Sequence, residues 1–143
     1  MNTEHSLPRT ALFDLDGTLA LHVKRNPYQW QKAASDTPNE PVIATLQALH
    51  RDGVTIVYLS GRPEEARAIT TDWITRHVGV DGPLYLRASS DMRKDAIIKR
   101  EIYEAHIRKQ HHVIAVFDDR DQVVAMWRKE LRLTCFQVAY GDF

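Results

Sequence analysis

Five short apolar runs punctuate the chain: Ala11-Leu12-Phe13, Val54 to Leu59, Leu84-Tyr85-Leu86, Val113 to Phe117, and Leu133 to Ala139. Each is too short for an ordinary helix, and most are rich in β-branched or aromatic residues. Continuous rather than alternating apolar character predicts strands covered on both faces. The segments between them repeat at helical spacing. Pro41 to Asp52 presents Val42, Leu46 and Leu49, with Asn39 as a cap and Gly53 as the stop. A helix opened by Pro63 carries Ala66, Ile69, Trp73 and Ile74, which assigns Trp73 to the core rather than to base stacking. A third, entered through Asp91 to Asp95, carries Ile98, Ile102 and Ala105 on one face; a fourth carries Val123, Val124, Trp127 and Leu131. Five strands alternating with four helices predict an α/β fold, a parallel sheet with helices on both faces.

Three of the strands end abruptly in polar residues. The first runs into Asp14-Leu15-Asp16-Gly17-Thr18, the second into Ser60-Gly61-Arg62, the fourth into Asp118-Asp119-Arg120. Ligands of open α/β sheets bind beyond the carboxyl ends of the strands, so these tips are the candidate site. Two carboxylates two residues apart can divide the attack on phosphorus from the handling of a proton. Asp14 is the candidate nucleophile and Asp16 the candidate acid and base. Asp14, Asp118 and Asp119 together would repel an anionic substrate unless a hard divalent cation stood between them, which predicts Mg2+, with Mn2+ as its substitute. The fixed donors that a transferred phosphoryl requires are expected from Thr18, Ser60 and a lysine, either Lys94 or Lys99, the latter sharing a helix face with Asp95. Residues 20 to 40 show no clean period. They predict an irregular flap over the site, against the plainer reading of a surface loop with buried aromatics.

Composition narrows this further. A length of 143 residues fits one domain, 1–143, with no large lid. Lys plus Arg and Asp plus Glu balance at 19 each, so attraction to a polyanion or a membrane must be local. One local surplus exists: Arg87 to Lys109 holds seven Lys or Arg against four Asp or Glu, which suits an anionic polymer as well as it suits an ordinary charged helix face. The single cysteine, Cys135, excludes an intrachain disulfide and is expected to be a buried thiol in a reducing, cytoplasmic setting. No membrane partner is expected. His111-His112 lack metal-ligand spacing, and no glycine pattern of the kind that cradles a nucleotide triphosphate is present, which excludes a kinase site.

Asp14-Leu15-Asp16-Gly17-Thr18, Ser60-Gly61-Arg62 and Asp118-Asp119 resemble, in order, the first, second and fourth motifs of the haloacid dehalogenase superfamily. The resemblance implies a three-layer Rossmann-like sheet of five strands in the order 5-4-1-2-3 with a minimal cap, and an aspartyl-phosphate intermediate. It also implies metal ligation by the Asp14 side chain, the Asp16 backbone carbonyl and Asp119, with Asp118 second or behind. The chain is similar over nearly its whole length to the 3′-phosphatase domains of T-even bacteriophage polynucleotide kinase-phosphatases. The shared residues include Arg25 with Pro27-Tyr28, Arg93-Lys94-Asp95 with Lys99, Gln122-Val123-Val124, Met126-Trp127-Arg128 and Gly141-Asp142-Phe143. By that likeness Arg25, Tyr28, Gly61, Arg62 and Asp95 bind substrate or shape its site, and the substrate is a nucleic-acid 3′ end or a 3′-nucleotide. A kinase or ligase on a separate chain is the implied partner, and the cytoplasm of a bacterium or phage-infected host the implied setting. A phosphatase for another small phosphomonoester, and a non-catalytic phosphate-binding domain, are the competing readings.

Overall fold

A computed structural model of the protein describes residues 6–22, 26 and 28–143. In chain order the strands are β1 (Arg9–Phe13), β2 (Ala20–Leu21), β3 (Thr37–Pro38), β4 (Thr55–Pro63), β5 (Leu84–Arg87), β6 (His112–Asp118) and β7 (Cys135–Gln137). The α-helices are α1 (Glu40–Arg51), α2 (Arg67–His77), α3 (Asp95–Ile102) and α4 (Asp121–Ala125). Five strands form one sheet in the order β5-β4-β1-β6-β7, every pair parallel. Counted among themselves from the β7 edge, these five run 5-4-1-2-3. The added pair is β2 and β3, a two-stranded antiparallel unit, with a 3-10 helix at Trp30–Ser35 between them among the described residues. This is the minimal cap.

Apolar residues on both faces of the strands give the sheet two cores. Ala11, Phe13, Ile56 and Tyr58 pack with Val42 and Leu46 of α1 and Trp73 and Ile74 of α2. Leu12, Val57, Leu59 and Val116 pack on the other face with Tyr103, Ile107, Val123 and Trp127. The alternation Ala11, Leu12, Phe13 across the two cores is the period of a strand. Trp73 is buried, its indole Nε1 donating to the Asp36 carbonyl at 3.0 Å. Cys135 is buried too, and burial pushes its thiol up to about 12, so it stays protonated at neutral pH.

Several boundaries differ from the sequence reading, each for a local reason. Asn39 occupies the capping position of α1, but its side-chain amide donates to the Thr18 carbonyl at 2.9 Å instead of bonding the helix end. It ties the cap to the first strand's tip. Gly61 and Arg62 lie within β4, and Pro63 ends that strand rather than opening a helix; a 3-10 turn at Glu64–Ala66 intervenes before α2. Ala105 is exposed, because α3 widens into a π-helical turn at Tyr103–Ile107, where Arg108 N–H bonds the Tyr103 carbonyl at 2.9 Å. One extra residue per turn slips the apolar stripe onto Tyr103 and Ile107. The last strand is only Cys135–Gln137, since the chain then leaves the sheet edge to cross the Asp118–Asp121 turn.

Register decides where the tips meet. Phe13 pairs with Tyr58 on one side and Phe117 on the other, so Asp14, just past β1, stands level with Leu59 of β4 and Asp118 of β6, one residue short of Ser60. Asp14, Ser60 and Asp118 therefore emerge at one edge of the sheet.

Candidate active site

Asp14 is the first residue past β1 and is 8% exposed. Its N–H bonds the Phe117 carbonyl at 3.0 Å, continuing the β1–β6 ladder and fixing the main chain beneath the carboxylate. Both carboxylate oxygens are held. Lys99 Nζ donates to Oδ1 at 2.8 Å, and the Thr18 hydroxyl donates to Oδ2 at 3.0 Å. Lys99, 2% exposed on α3, also donates to Asp118 Oδ2 at 2.9 Å. Trp127 Nε1 reaches the same Asp118 oxygen at 3.3 Å, while Asp118 Oδ1 accepts the Asp119 N–H at 2.9 Å. Asp118 is thus consumed by its neighbours, leaving the Asp119 carboxylate to face Asp14.

One atom from each of Asp14, Asp118 and Asp119 lies within 4.8 Å of the others. Lys99 offsets a single charge of the three. Burial, followed by the charge of Asp118, holds the Asp14 carboxyl well above the usual carboxylate range, with Lys99 pulling the other way. Burial also raises Asp119. For Lys99, burial alone would lower the ammonium, but the charges of Asp118 and Asp14 outweigh it and the net direction is upward. An all-oxygen, strongly anionic donor set with uncompensated charge suits a hard divalent cation. Gly17 is part of the same fit: at φ +84° its missing Cβ would stand 2.1 Å from Asp119 Oδ2, so any side chain there would displace that carboxylate.

Asp16 is held differently. Its carboxylate accepts from Arg62 twice, Nε to Oδ2 at 2.9 Å and Nη2 to Oδ1 at 2.7 Å, the two-point geometry of a guanidinium fork. Arg62 in turn donates from Nη2 to Asp36 Oδ2 at 3.0 Å and from Nη1 to Thr70 Oγ1 at 2.9 Å. Four bonds occupy the guanidinium of this buried residue. His22 Nδ1 lies 3.7 Å from Asp16 Oδ1. The Asp16 side chain keeps 27% exposure, so it opens to solvent where Asp14 does not.

The other expected residues divide. Ser60 is buried, and its Oγ accepts the Arg62 N–H at 3.1 Å, which leaves its own proton free to donate. Gly61 offers its carbonyl to Arg87 Nε at 2.8 Å. Asp95 does not pair with Lys99; it is bridged by Arg87 and by Arg120, the latter at 3.1 Å. Lys94 is exposed at the residue preceding α3, so of the two candidate lysines Lys99 alone reaches the carboxylates. The physical reason is position: Lys94 is the extended capping residue ahead of α3, whereas Lys99 lies on the buried face of the helix. Arg62, expected at the substrate, donates to Asp16, Asp36 and Thr70. Tyr28 is 89% exposed, and Arg25 lies outside the described residues. Sequence reasoning missed Asp36 and Thr70, which no motif marks, and placed Trp127 on an apolar helix face and in the shared Met126-Trp127-Arg128 segment without linking it to Asp118.

A central parallel sheet in this strand order, with a paired Asp tip, a lysine from α3 and acids after β6, defines a phosphatase domain of the haloacid-dehalogenase type, a phosphomonoesterase by class. Two class C acid phosphatase structures from Bacillus anthracis share that fold, at a TM-score of 0.59 and 20% and 21% identity, over 80% of this chain. The match extends further. Residues 8–143 fit the family model described as the polynucleotide kinase PNKP phosphatase domain, and the chain belongs to that family. A structure of a Pnkp1/Rnl/Hen1 complex superposes at a TM-score of 0.92, and one of the Pnkp1/Rnl/Hen1 RNA repair complex at 0.94, each with 42% identity over 96% of this chain. A protein of Autographa californica nuclear polyhedrosis virus, named provisionally as a bifunctional polynucleotide kinase/RNA ligase, is 37% identical over 135 residues, 92% of this chain. The chain spans 19% of that viral protein and 48% and 44% of the two structural relatives. Among the described residues no helix is long and apolar enough to cross a membrane.

Proposed function

We propose that this chain is a magnesium-dependent phosphatase that removes the 3′-phosphate from nucleic-acid ends or nucleotides through an aspartyl phosphate on Asp14. The observation that carries the chemistry is the unequal holding of Asp14 and Asp16: one is clamped beside Lys99 and two further acids, the other is forked by Arg62 at the solvent side. Asp14 attacks phosphorus in line, a bond from its oxygen to phosphorus forms, and the bond to the leaving 3′ oxygen breaks. For this Asp16 enters the step as the carboxylic acid, protonated from solvent on its open side, and gives that proton to the leaving oxygen. In the second step Asp16 takes a proton from water, whose oxygen attacks the same phosphorus and releases Asp14 and inorganic phosphate. Lys99, Ser60 and Thr18 supply the fixed donors around these charges. Asp14, Asp119 and the Asp16 carbonyl would hold Mg2+ or Mn2+, with Asp118 behind, and the ion would neutralise the charge between phosphate and carboxylates.

A nucleic-acid substrate is supported by membership of the family and by relatives named for polynucleotide kinase, RNA ligase and RNA repair, and the 3′ preference comes from the likeness to 3′-phosphatase domains. A kinase or ligase that works on the same ends is the corresponding partner class. The test is phosphate release from matched 3′- and 5′-phosphorylated oligonucleotides, the corresponding nucleotides and a set of sugar phosphates, with Mg2+ or with chelator. Release from the 3′ ends, dependent on metal, is expected. Equal cleavage of both ends, or a sugar phosphate as the best substrate, would replace the end-processing reading with that of a small-molecule phosphatase.

A further inference from the structure

Resting on the assignment of Asp119 to the cation, we propose that residues 137–143 form a strap that sets the position of Asp119, with Gly141 and Gln137 as its positioning residues. Every residue of the Asp118–Asp121 turn is bonded to this segment. Val138 N–H donates to the Asp118 carbonyl at 3.1 Å. Gln137 Nε2 donates both its protons, to the Asp119 carbonyl at 3.0 Å and to Asp121 Oδ1 at 2.6 Å. Arg120 Nε donates to the Phe143 main-chain oxygen at 2.9 Å, and its guanidinium lies 5.4 Å from the centre of the Phe143 ring. Asp121 N–H donates to the Gly141 carbonyl at 2.9 Å.

The reason for such a fastening lies in the charges. Asp14, Asp118 and Asp119 repel one another, and a turn free to relax would carry Asp119 away. The strap opposes this by holding the main chain of the turn. At Gly141 the approach is closest, for a Cβ there would lie 1.8 Å from the Asp119 carbonyl oxygen and 2.8 Å from both Asp119 C and Asp121 N. These are backbone atoms, which cannot swing aside as a side chain would. Alanine at 141 must therefore move the Asp119 peptide or lift the strap from it. Gln137 is exposed, so its role in the apolar core is small and its two hydrogen bonds are what its truncation removes.

Direct Mn2+ binding, followed by electron paramagnetic resonance without substrate, tests the idea alongside melting in metal-free buffer. Gly141→Ala and Gln137→Ala should weaken Mn2+ binding by about 10- to 100-fold, the range for residues that orient metal ligands, with Gln137→Ala at the lower end. Gln137→Glu, which cannot donate and adds charge, should be worse than Gln137→Ala. Gly82→Ala is the control: its Cβ would meet the Ile56 carbonyl at 2.1 Å, away from the turn, so it should lower the melting temperature without changing Mn2+ affinity. Should Gly141→Ala fail to fold, the two Gln137 variants carry the test. Variants that bind Mn2+ as tightly as the wild type would overturn the strap while leaving the cation site intact. A wild-type protein that binds no Mn2+ would overturn the cation assignment itself.

Discussion

Asp14 and Asp16 stand two residues apart on one tip, yet the fold treats them as separate problems. Asp14 is surrounded by charge that does not cancel, two more acids and one lysine, in a place largely shielded from water. Asp16 is paired two-point with an arginine that is itself braced by Asp36 and Thr70, and its carboxylate stays part-open to solvent. The difference teaches how one Asp-x-Asp motif yields two roles. A nucleophile gains from being fixed and dry, with the missing positive charge left for a cation and substrate to complete. A group that passes protons to and from water must touch solvent, and an arginine fork can orient it without sealing it in.

The comparison breaks most decisively at the motif itself. Asp14→Asn should abolish turnover while the fold persists, because the amide keeps the shape but attacks phosphorus poorly. Asp16→Asn should be severely impaired yet still form aspartyl phosphate from a substrate with a good leaving group. Rapid-quench trapping of phosphoenzyme, beside a thermal melt, checks both; near-normal turnover in folded Asp14→Asn protein would sink the mechanism. Next in size is Lys99→Met. With the ammonium gone, buried carboxylates lose their partner, so stability without metal should fall by about 3–5 kcal/mol. Mg2+ should return part of it, since a ligand that binds only the folded state stabilises it. Urea denaturation with and without Mg2+ gives the answer, and an unchanged midpoint in metal-free buffer would remove Lys99 from the site.

On the Asp16 side, Arg62→Ala should lower turnover while leaving the Mg2+ concentration for half-maximal activity close to that of the wild type. Arg62→Lys should recover little, because an ammonium cannot make the two-point contact. Full activity of Arg62→Lys would show that charge alone suffices and that the fork is incidental. An upward shift of the Mg2+ requirement in either variant would show that the two sides are not separate.

How legible each side was follows from where its parts sit in the chain. The Asp14 side is built from strand tips and one helix register, and apolar runs ending in acids announce strand tips directly. Lys99 was legible only as one of two, since the start of the helix decides between Lys94 and Lys99 and the caps that set it leave weak marks. The Asp16 side was half hidden. Arg62 stood out as part of a motif, but nothing in the sequence says whether an arginine faces substrate or a neighbour. Asp36 and Thr70 come from the cap and from α2, distant in sequence, and meet at Arg62, while Trp73 Nε1 bonds the Asp36 carbonyl. The π-helical turn after α3 was illegible for a related reason: it answers the need to bury Tyr103 and Ile107, a tertiary demand that overrides local spacing.

The smallest effects compare two hydroxyls, one on each side, under the same substitution. Thr18→Val removes the donor to Asp14 Oδ2, and Thr70→Val removes the acceptor of Arg62 Nη1; both residues are buried, and valine fills nearly the same volume. Each lost bond involves a charged group and is worth about 1.5–3 kcal/mol before relaxation. The consequences for rate should nonetheless differ. Thr18 touches the nucleophile, so its loss frees one Asp14 oxygen and should appear in kcat at close to its full value. Thr70 stands two contacts from Asp16, and Arg62 keeps three of its four bonds without it, so most of the cost should appear in stability. Thr70→Val is therefore expected to lower the urea midpoint while reducing kcat only about 2- to 5-fold, a barrier change of under about 1 kcal/mol. Measuring kcat and the urea midpoint on both variants checks the pair. A Thr70→Val enzyme as slow as Thr18→Val would mean that Asp16 depends on every brace of Arg62, and the part-open side of the site would be as finely set as the buried one.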